Sequence, residues 1–247
     1  MKTSIFITTL LSVALSATEI YTTFDVEAMQ ESDLTLTTTG VIQILHVDIG
    51  DHVKKGDVLL SLDNEDLKLS VELAESDLKL AEVNHRFAKQ TYERYEKVKD
   101  VIDDDQYEQY LLAYEKSMAS LNSAKANLAY KKAMFKKSIL RAPYNGVISK
   151  RHKEIGDGVS GAMLEPIITL VDDTKVKLVL SFDEKYWQQI EPGLHVTYKV
   201  DGSNENYEGK IVKIYPTVDA NTRKAFAEVH AKDLMPGLFG EGMIEVK

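Results

Sequence analysis

The sequence predicts a mixed α and β fold: a β-sandwich split by a long antiparallel α-helical coiled-coil hairpin, followed by a small antiparallel β-barrel. Three observations lead to this prediction. A segment is repeated, a stretch of helical period without Gly or Pro separates the two copies, and short alternating strands fill the last third of the chain. We expect the sandwich halves at 34–63 and 138–172, the hairpin at 64–137, the barrel at 173–247 and an N-terminal strand at 18–33 that joins the barrel region.

The repeat is the main evidence for a split sandwich. The run GVIQILHVDIGDHV at residues 40–53 returns as GVISKRHKEIGDGV at residues 146–159, with eight of fourteen positions identical. Apolar residues alternate as in a half-buried strand, and Gly50 and Gly156 stand where a tight reversal is needed. Because half a unit cannot bury its own apolar face, the copies must pack together and bring both ends of the insertion to one place.

The inserted stretch is rich in Ala, Leu, Glu and Lys, which are favourable in helices. Its apolar and aromatic residues recur at spacings of three and four, which predicts two helices that face each other along a seam. The predicted seam positions are Leu67, Val71, Ala74, Leu78, Ala81, Ala88, Tyr92, Tyr95 and Ile102, then Tyr107, Leu111, Tyr114, Met118, Leu121, Leu128 and Phe135. We place the break at residues 103–105, because an Asp can cap a helix start. Each helix would have ~35 residues and a length of ~50 Å.

The last third predicts a small antiparallel barrel, because short alternating runs are separated by turn residues. One short helix near residues 184–190 interrupts the strands. The run at residues 20–26 is expected to add an edge strand to this body. Trp187 is interpreted as a packing residue. The predicted barrel strands are Val176 to Phe182, His195 to Val200, Gly209 to Tyr215, Lys224 to Ala231 and Gly242 to Val246.

Composition and motifs argue against several classes of function. The net charge of −9 and the lack of a basic stripe argue against a nucleic-acid partner. The sequence has no Cys, which removes disulfides and thiolate metal sites. No Ser, His and Asp arrangement has a recognisable motif context. We therefore expect no catalysis, no cofactor and no metal site.

The first 17 residues have the layout of a secretory signal peptide. Met1 and Lys2 precede an apolar stretch from Ile5 to Leu15, and small residues follow at Ser16 and Ala17. Cleavage near residue 16 or 17 would release an exported chain. Retention of the segment as an anchor is the alternative.

The repeats, the hairpin and several later segments together resemble the periplasmic adaptor (membrane fusion) proteins of bacterial tripartite efflux pumps. The segments that carry the resemblance are Leu140 to Gly146, Gly209 to Val212, Pro216 to Asp219, and Thr222 with Arg223. The resemblance implies a lipoyl-like body, an α-helical hairpin and a β-barrel. It also implies a periplasmic protein that bridges an inner-membrane transporter, of the RND type, and an outer-membrane channel of the TolC type, with several copies packed in a ring.

The tip of the hairpin is the predicted partner-binding site. Arg94, Val98, Ile102 and Asp103 lie farthest from the β body, where side chains contribute little to its packing and can contact helices of another protein. Tips in the family commonly carry an Arg, a Leu four residues later and a Ser seven beyond. This chain has Arg94 and Val98 at the first two spacings, and Asp103 stands near the Ser position in a segment two residues shorter.

Two other functions stay open at this point. An adaptor of a type I secretion system or an ATP-driven exporter would have the same architecture. A biotin or lipoyl carrier module would need a modified lysine on the turn between the half-repeats. The inserted hairpin occupies that turn, and the nearby Lys54, Lys55 and Lys68 lack the flanking pattern.

Overall fold

The computed structural model describes residues 18–246, which form two compact units. One unit contains residues 18–31 and 172–246, and the other contains residues 32–171. The predicted signal peptide at residues 1–17 lies outside the described residues. The predicted mixed α and β fold is confirmed: one unit is a barrel, and the other combines two small sheets with a helical hairpin.

Fourteen strands and two long helices occur in the described chain. In chain order they are β1 (Thr18–Ala28), β2 (Glu31–Leu34), β3 (Gly40–Leu45), β4 (His52–Val53), β5 (Val58–Leu62), α1 (Glu65–Glu96), α2 (Asp104–Lys137), β6 (Ile139–Arg141), β7 (Gly146–Arg151), β8 (Gly158–Val159), β9 (Ile168–Val171), β10 (Val176–Asp183), β11 (His195–Val200), β12 (Tyr207–Ile214), β13 (Lys224–Ala231) and β14 (Phe239–Val246). The predicted short helix is a single 3₁₀ turn at Glu184–Tyr186.

The barrel is closed by six strands in the order β1-β10-β13-β12-β11-β14. β1 alternates buried and exposed residues, and its inward side chains include Ile20, Phe24 and Val26. The expectation that this segment is an edge strand is wrong, because it pairs with β10 on one side and β14 on the other. Closure satisfies the backbone groups that an edge strand would leave unpaired.

Two features let the barrel core close tightly. Thr22 is fully buried, and its hydroxyl donates a hydrogen bond of 3.0 Å to the carbonyl oxygen of Ser181. Gly240 lies against Phe24, so that a Cβ placed there would come within 2.6 Å of the Phe24 ring. The Phe24 ring in turn makes an edge contact with Tyr198, with 5.5 Å between centroids.

The sandwich contains two four-stranded sheets, ordered β2-β9-β7-β4 and β6-β5-β3-β8. Each repeat completes the sheet of the other, because β3 pairs with β8 and β4 pairs with β7. The turns repeat this exchange: the Gly50 amide donates to Ile148, and the Gly156 amide donates to Ile42. Both glycines have a φ near the left-handed region, at 91° and 93°, which side chains disfavour. The repeat thus forms one body with an internal twofold relation.

The hairpin consists of α1 with 32 residues and α2 with 34 residues. Its closest-packed seam side chains are Ala74, Ala81, Leu121 and Leu128. Most predicted seam positions are buried or half-buried in the structure, with two differences. Met118 is 42% exposed, because the seam position is taken by Ser117, which is hydrogen-bonded to His85 at 3.1 Å. Ile102 lies in the connection between the helices.

Candidate functional site: the hairpin tip

The tip is a seven-residue connection, residues 97–103, between two helix ends. α1 ends at Glu96, and the chain then turns with short backbone hydrogen bonds from the Val98 amide to Tyr95 and from the Val101 amide to Val98, both 3.0 Å. α2 begins after Asp103, whose side chain accepts a hydrogen bond of 2.9 Å from the Asp105 amide. Asp103 therefore caps the start of α2, as predicted for an Asp at this break.

The four predicted contact residues have different environments. Arg94 is exposed in the last turn of α1, and within residues 18–246 it makes no ion pair. Val98 is 42% exposed on the connection. Ile102 is half-buried, and Asp103 is exposed but uses its carboxylate as the helix cap. The structure thus brings all four to one end of the hairpin, with Arg94 and Val98 accessible.

Val101 is a tip residue that the sequence analysis missed. Its side chain is 84% exposed, which is the largest exposed fraction among the large apolar residues of the described chain. Val101 lies one position before the seam residue Ile102, so it does not fit the spacing of three and four that defines the seam. An apolar residue outside that spacing is the sequence signal by which Val101 could have been found. The tip therefore presents two exposed valines beside an unpaired guanidinium group.

A ladder of aromatic rings supports the tip from below. Tyr95 and Tyr110 stack with their centroids 4.0 Å apart and their planes at 11°. One turn lower, Tyr92 stacks on Tyr114 at 5.1 Å and 8°. Stacked rings of this kind bind the two helices more firmly than aliphatic contacts of the same area. The ladder restricts the relative motion of the helix ends from which the tip residues project.

The hydroxyl groups of the ladder form a short polar chain. The Tyr92 hydroxyl donates to Glu96 Oε1 at 2.9 Å and lies 3.2 Å from the Tyr107 hydroxyl, which is therefore the donor of that second bond. These hydrogen bonds to Tyr107 and Glu96 raise the pKa of Tyr92 well above its ordinary value. Hydrogen bonding to Tyr95 likewise raises the pKa of Tyr110. These two hydroxyl groups therefore keep their protons to a higher pH than a free tyrosine does.

The base of the hairpin is fastened to the sandwich. The side-chain amide of Asn64, just before α1, donates to Ser138 Oγ at 3.0 Å, just after α2. Ser138 is fully buried, its carbonyl oxygen accepts the Leu62 amide, and its hydroxyl donates to Phe135. The two ends of the insertion therefore meet at one point, as the repeat predicts.

A groove on the barrel is a second surface with an exposed aromatic residue. Its volume is about 670 Å³, and Ile190, Tyr215 and Val218 contribute to its lining. Trp187 also lines the groove and is 60% exposed. The interpretation of Trp187 as a packing residue is wrong, because its ring lies outside the barrel core. Sequence reasoning missed this groove, since β12 and the 3₁₀ turn form it only after the barrel closes.

Metal ligands do not cluster in the part of the chain that the structure describes. Among residues 18–246, no group of three or more His, Asp or Glu side chains could hold a metal ion. The hairpin occupies the position between the two half-repeats, where a carrier domain would present its modified lysine.

Comparison with known proteins gives the family. Residues 30–164, more than half of the chain, match the family described as "CzcB-like, barrel-sandwich hybrid domain". The chain belongs to that family. This agrees with the resemblance noted from its sequence.

Several known proteins are similar to this chain. It is 22% identical to the multidrug resistance protein MdtA of Photorhabdus laumondii, over 80% of this chain and 51% of that protein. It is 24% identical to the macrolide export protein MacA of Escherichia coli O157:H7, over 80% of this chain and 58% of that protein. The structure of the membrane fusion protein Spr0693 from Streptococcus pneumoniae R6 aligns with a TM-score of 0.71 at 14% identity, covering 92% of this chain and 98% of the other.

Two further facts bear on the whole protein. The chain spans little more than half the length of the curated relatives that it matches. Among residues 18–246, no helix combines the length and apolarity needed to cross a membrane.

Proposed function

We propose that this protein is the periplasmic adaptor subunit of a tripartite efflux pump, bridging an inner-membrane transporter and an outer-membrane channel without catalysis of its own. The observation that carries the proposal is the hairpin of two helices, each about 50 Å long, which is inserted between the halves of the sandwich. Two helices of this length are not needed to stabilise a small sandwich, whereas they give the reach that a bridge requires.

The tip is the proposed contact with a channel of the TolC type. Arg94 supplies a charge that makes no ion pair among residues 18–246, and Val98 and Val101 supply exposed apolar surface. An arginine next to apolar side chains is a frequent anchor composition in protein interfaces. The stacked tyrosines hold this surface in place before binding, which reduces the entropy lost on association.

The remaining parts of the proposal concern location and assembly. The N-terminal segment would direct the chain to the periplasm, where it associates with the inner membrane through a transporter of the RND type. Several copies packed side by side would line the path of the exported small molecule, and the transporter would supply the energy. The relatives named for macrolide export and multidrug resistance support export of small molecules.

Purification of the tagged full-length protein from membranes after mild cross-linking tests this proposal. We expect one inner-membrane transporter and one outer-membrane channel to copurify. An RND transporter supports the proposal in full, while an ATP-driven exporter would replace the transporter class and keep the adaptor role. Copurification of neither membrane protein would contradict the bridging function. An added biotin or lipoyl mass on the intact chain would instead identify a carrier.

Charge reversal at the tip tests the channel contact. We expect Arg94→Glu to weaken copurification of the channel by about tenfold or more while the unfolding temperature is unchanged, because the side chain is exposed and unpaired. Lys125→Glu makes the same charge change on an exposed part of α2 away from the tip, and should leave the channel bound. Equal channel recovery from both variants would contradict the tip assignment.

A further inference from the structure

The groove on the barrel is large enough to hold a small organic molecule. It lies between residues 184–190 and residues 214–218, and we call it the barrel groove. Its volume of about 670 Å³ falls within the range of about 300–1,000 Å³ that is typical of ligand-binding clefts. The buried side chains of Ile190 and Ala225 form its base, so its floor is part of the packed barrel wall.

Exposed apolar side chains line the barrel groove on both sides. Trp187 is 60% exposed and stands on the side of the 3₁₀ turn. Tyr215 and Val218 line the other side, and Val218 is 43% exposed. Among residues 18–246, no aromatic ring stacks on the indole of Trp187. A planar ring placed in the groove would supply that stacking partner and would remove apolar surface from water.

Backbone hydrogen bonds fix the two sides of the groove to each other. The Glu184 amide donates to the Arg223 carbonyl oxygen at 3.1 Å, and the Arg223 amide donates to the Asp219 carbonyl oxygen at 2.8 Å. Arg223 has a φ of 53°, which side chains disfavour, and both of its backbone groups are bonded in this conformation. The Trp187 amide donates to Glu184 at 3.0 Å. The groove is therefore formed before any ligand binds, which reduces the entropy lost on binding.

The charged groups at the groove already have partners. Among residues 18–246, the charged side chains that line it are Glu184 and Lys185. Arg223 Nη1 lies 3.6 Å from Glu184 Oε1, and Lys185 Nζ lies 3.6 Å from Asp183 Oδ2. A charged ligand would lose hydration in the groove without gaining a free counter-charge. An uncharged ligand does not have this cost and matches the lining better.

We propose that the barrel groove binds an uncharged small organic molecule that contains a planar ring, with the ring stacked against Trp187 or Tyr215. This proposal rests on the proposed function in taking the ligand to belong to the class of compounds that the pump exports. The adaptor then binds the exported compound itself, in addition to its two membrane partners. The ligand class follows from the aromatic lining and from the balanced charges of the groove.

The fluorescence of Trp187 tests the proposal directly, because Trp187 is the single tryptophan of the sequence. We titrate the full-length protein with phenylnaphthylamine, an uncharged ring compound whose absorption overlaps tryptophan emission. The emission of Trp187 should decrease to a plateau while the emission of the probe increases. No saturable response would overturn the proposal.

A charged form of the same probe tests the ligand class. Anilinonaphthalene sulfonate has the same ring system with one added negative charge, and it should bind at least about tenfold more weakly. The sulfonate could reach Lys213, whose Nζ lies 5.7 Å from the centroid of the Tyr215 ring. Equal or tighter binding of the sulfonate would therefore overturn the assignment of an uncharged ligand.

Two glutamate variants test whether the probe lies in the groove. Val218→Glu places a carboxylate in the lining and should weaken phenylnaphthylamine binding by at least about tenfold. Val212→Glu is the matched control, because Val212 is 50% exposed on β12 and does not line the groove. It should retain the affinity of the unchanged protein. Equal affinities of the two variants, at equal unfolding temperatures, would overturn the assignment to the groove.

A tryptophan variant provides a second measurement that does not depend on Trp187 emission. In Trp187→Ala the emission of the probe itself should show binding at least about tenfold weaker, whereas Trp187→Phe should retain most of the affinity because it keeps a ring. Full affinity in Trp187→Ala would contradict the stacking role.

Two further outcomes separate this inference from other functions. A blue shift of Trp187 emission with phosphatidylcholine vesicles, without any response to phenylnaphthylamine, would assign the surface to the membrane and overturn the ligand site. If the probe does not bind while a transporter and a channel still copurify, this inference fails and the proposed function stands. If the probe binds and Val218→Glu weakens it while neither membrane protein copurifies, the ligand site stands and the export role fails.

Discussion

Replacing the stacked pair Tyr95 and Tyr110 by leucines should loosen the end of the hairpin without unfolding the protein. The rings lie 4.0 Å apart and nearly parallel, and both are half-buried. An aromatic pair contributes about 0.5–1.5 kcal/mol beyond the area that it buries. Leucine keeps most of the apolar surface and removes the ring contact. A double-mutant cycle over Tyr95→Leu and Tyr110→Leu should therefore give a coupling free energy of about 1 kcal/mol.

Hydrogen exchange of the native protein is the suitable assay, because it reports local opening of the helix ends. A coupling of about 1 kcal/mol corresponds to about a fivefold change in the opening equilibrium. We expect this change in the amides of residues 88–96 and 104–112, and none in the barrel. Tyr130→Leu is the matched control, since Tyr130 lies on α2, is 57% exposed and makes no ring–ring stacking contact among the described residues. A coupling below about 0.3 kcal/mol would refute the stiffening role of the ladder.

Three further outcomes follow from individual contacts. Gly240→Ala should lower the stability of the barrel by about 2 kcal/mol or more in chemical denaturation, because the new Cβ meets Phe24, whereas Gly158→Ala enters open space and should be nearly neutral. Hydrogen bonds raise the pKa of Tyr92, so its contribution to stability is complete below its ordinary pKa of 10.0 and is lost as the pH rises. In a titration followed by phenolate absorbance, Tyr92→Phe should therefore have one late-titrating tyrosine fewer than the unchanged protein. Backbone amides of Asn221 and Thr222 lower the pKa of Asp219, so its contribution is present above its ordinary pKa and is lost as the pH falls; Asp219→Ala should flatten the acid limb of the thermal stability curve.

The sequence predicts the sandwich and hairpin well because both leave periodic patterns. The repeat contains the strand pairing itself, since β3 and β7 begin with the same Gly-Val-Ile and each pairs with the short strand that follows the turn of the other copy. The seam spacing of three and four follows directly from helix geometry. The five strands predicted after residue 173 also form, with shifts of a few residues at their ends.

The features that the sequence analysis missed depend on contacts between distant segments. β1 closes the barrel through partners nearly 150 residues away or farther, and no local pattern distinguishes an edge strand from one with two neighbours. Ser117 takes the seam position assigned to Met118 because the polar His85 faces it. Hydrophobicity alone favours the methionine. The exposure of Trp187 likewise depends on a groove that exists only in the folded barrel.

The exchange of strands between the two repeats has a consequence for how the chain folds. β3 and β8 are separated by more than a hundred residues, so closing the loop between them in an unfolded chain is entropically costly and slow. The hairpin contains mostly local contacts, and its zipping brings Asn64 to Ser138. A pair of helices that forms first would replace this long flexible tether by a short one, which predicts that the hairpin becomes protected from hydrogen exchange before the sandwich does during refolding.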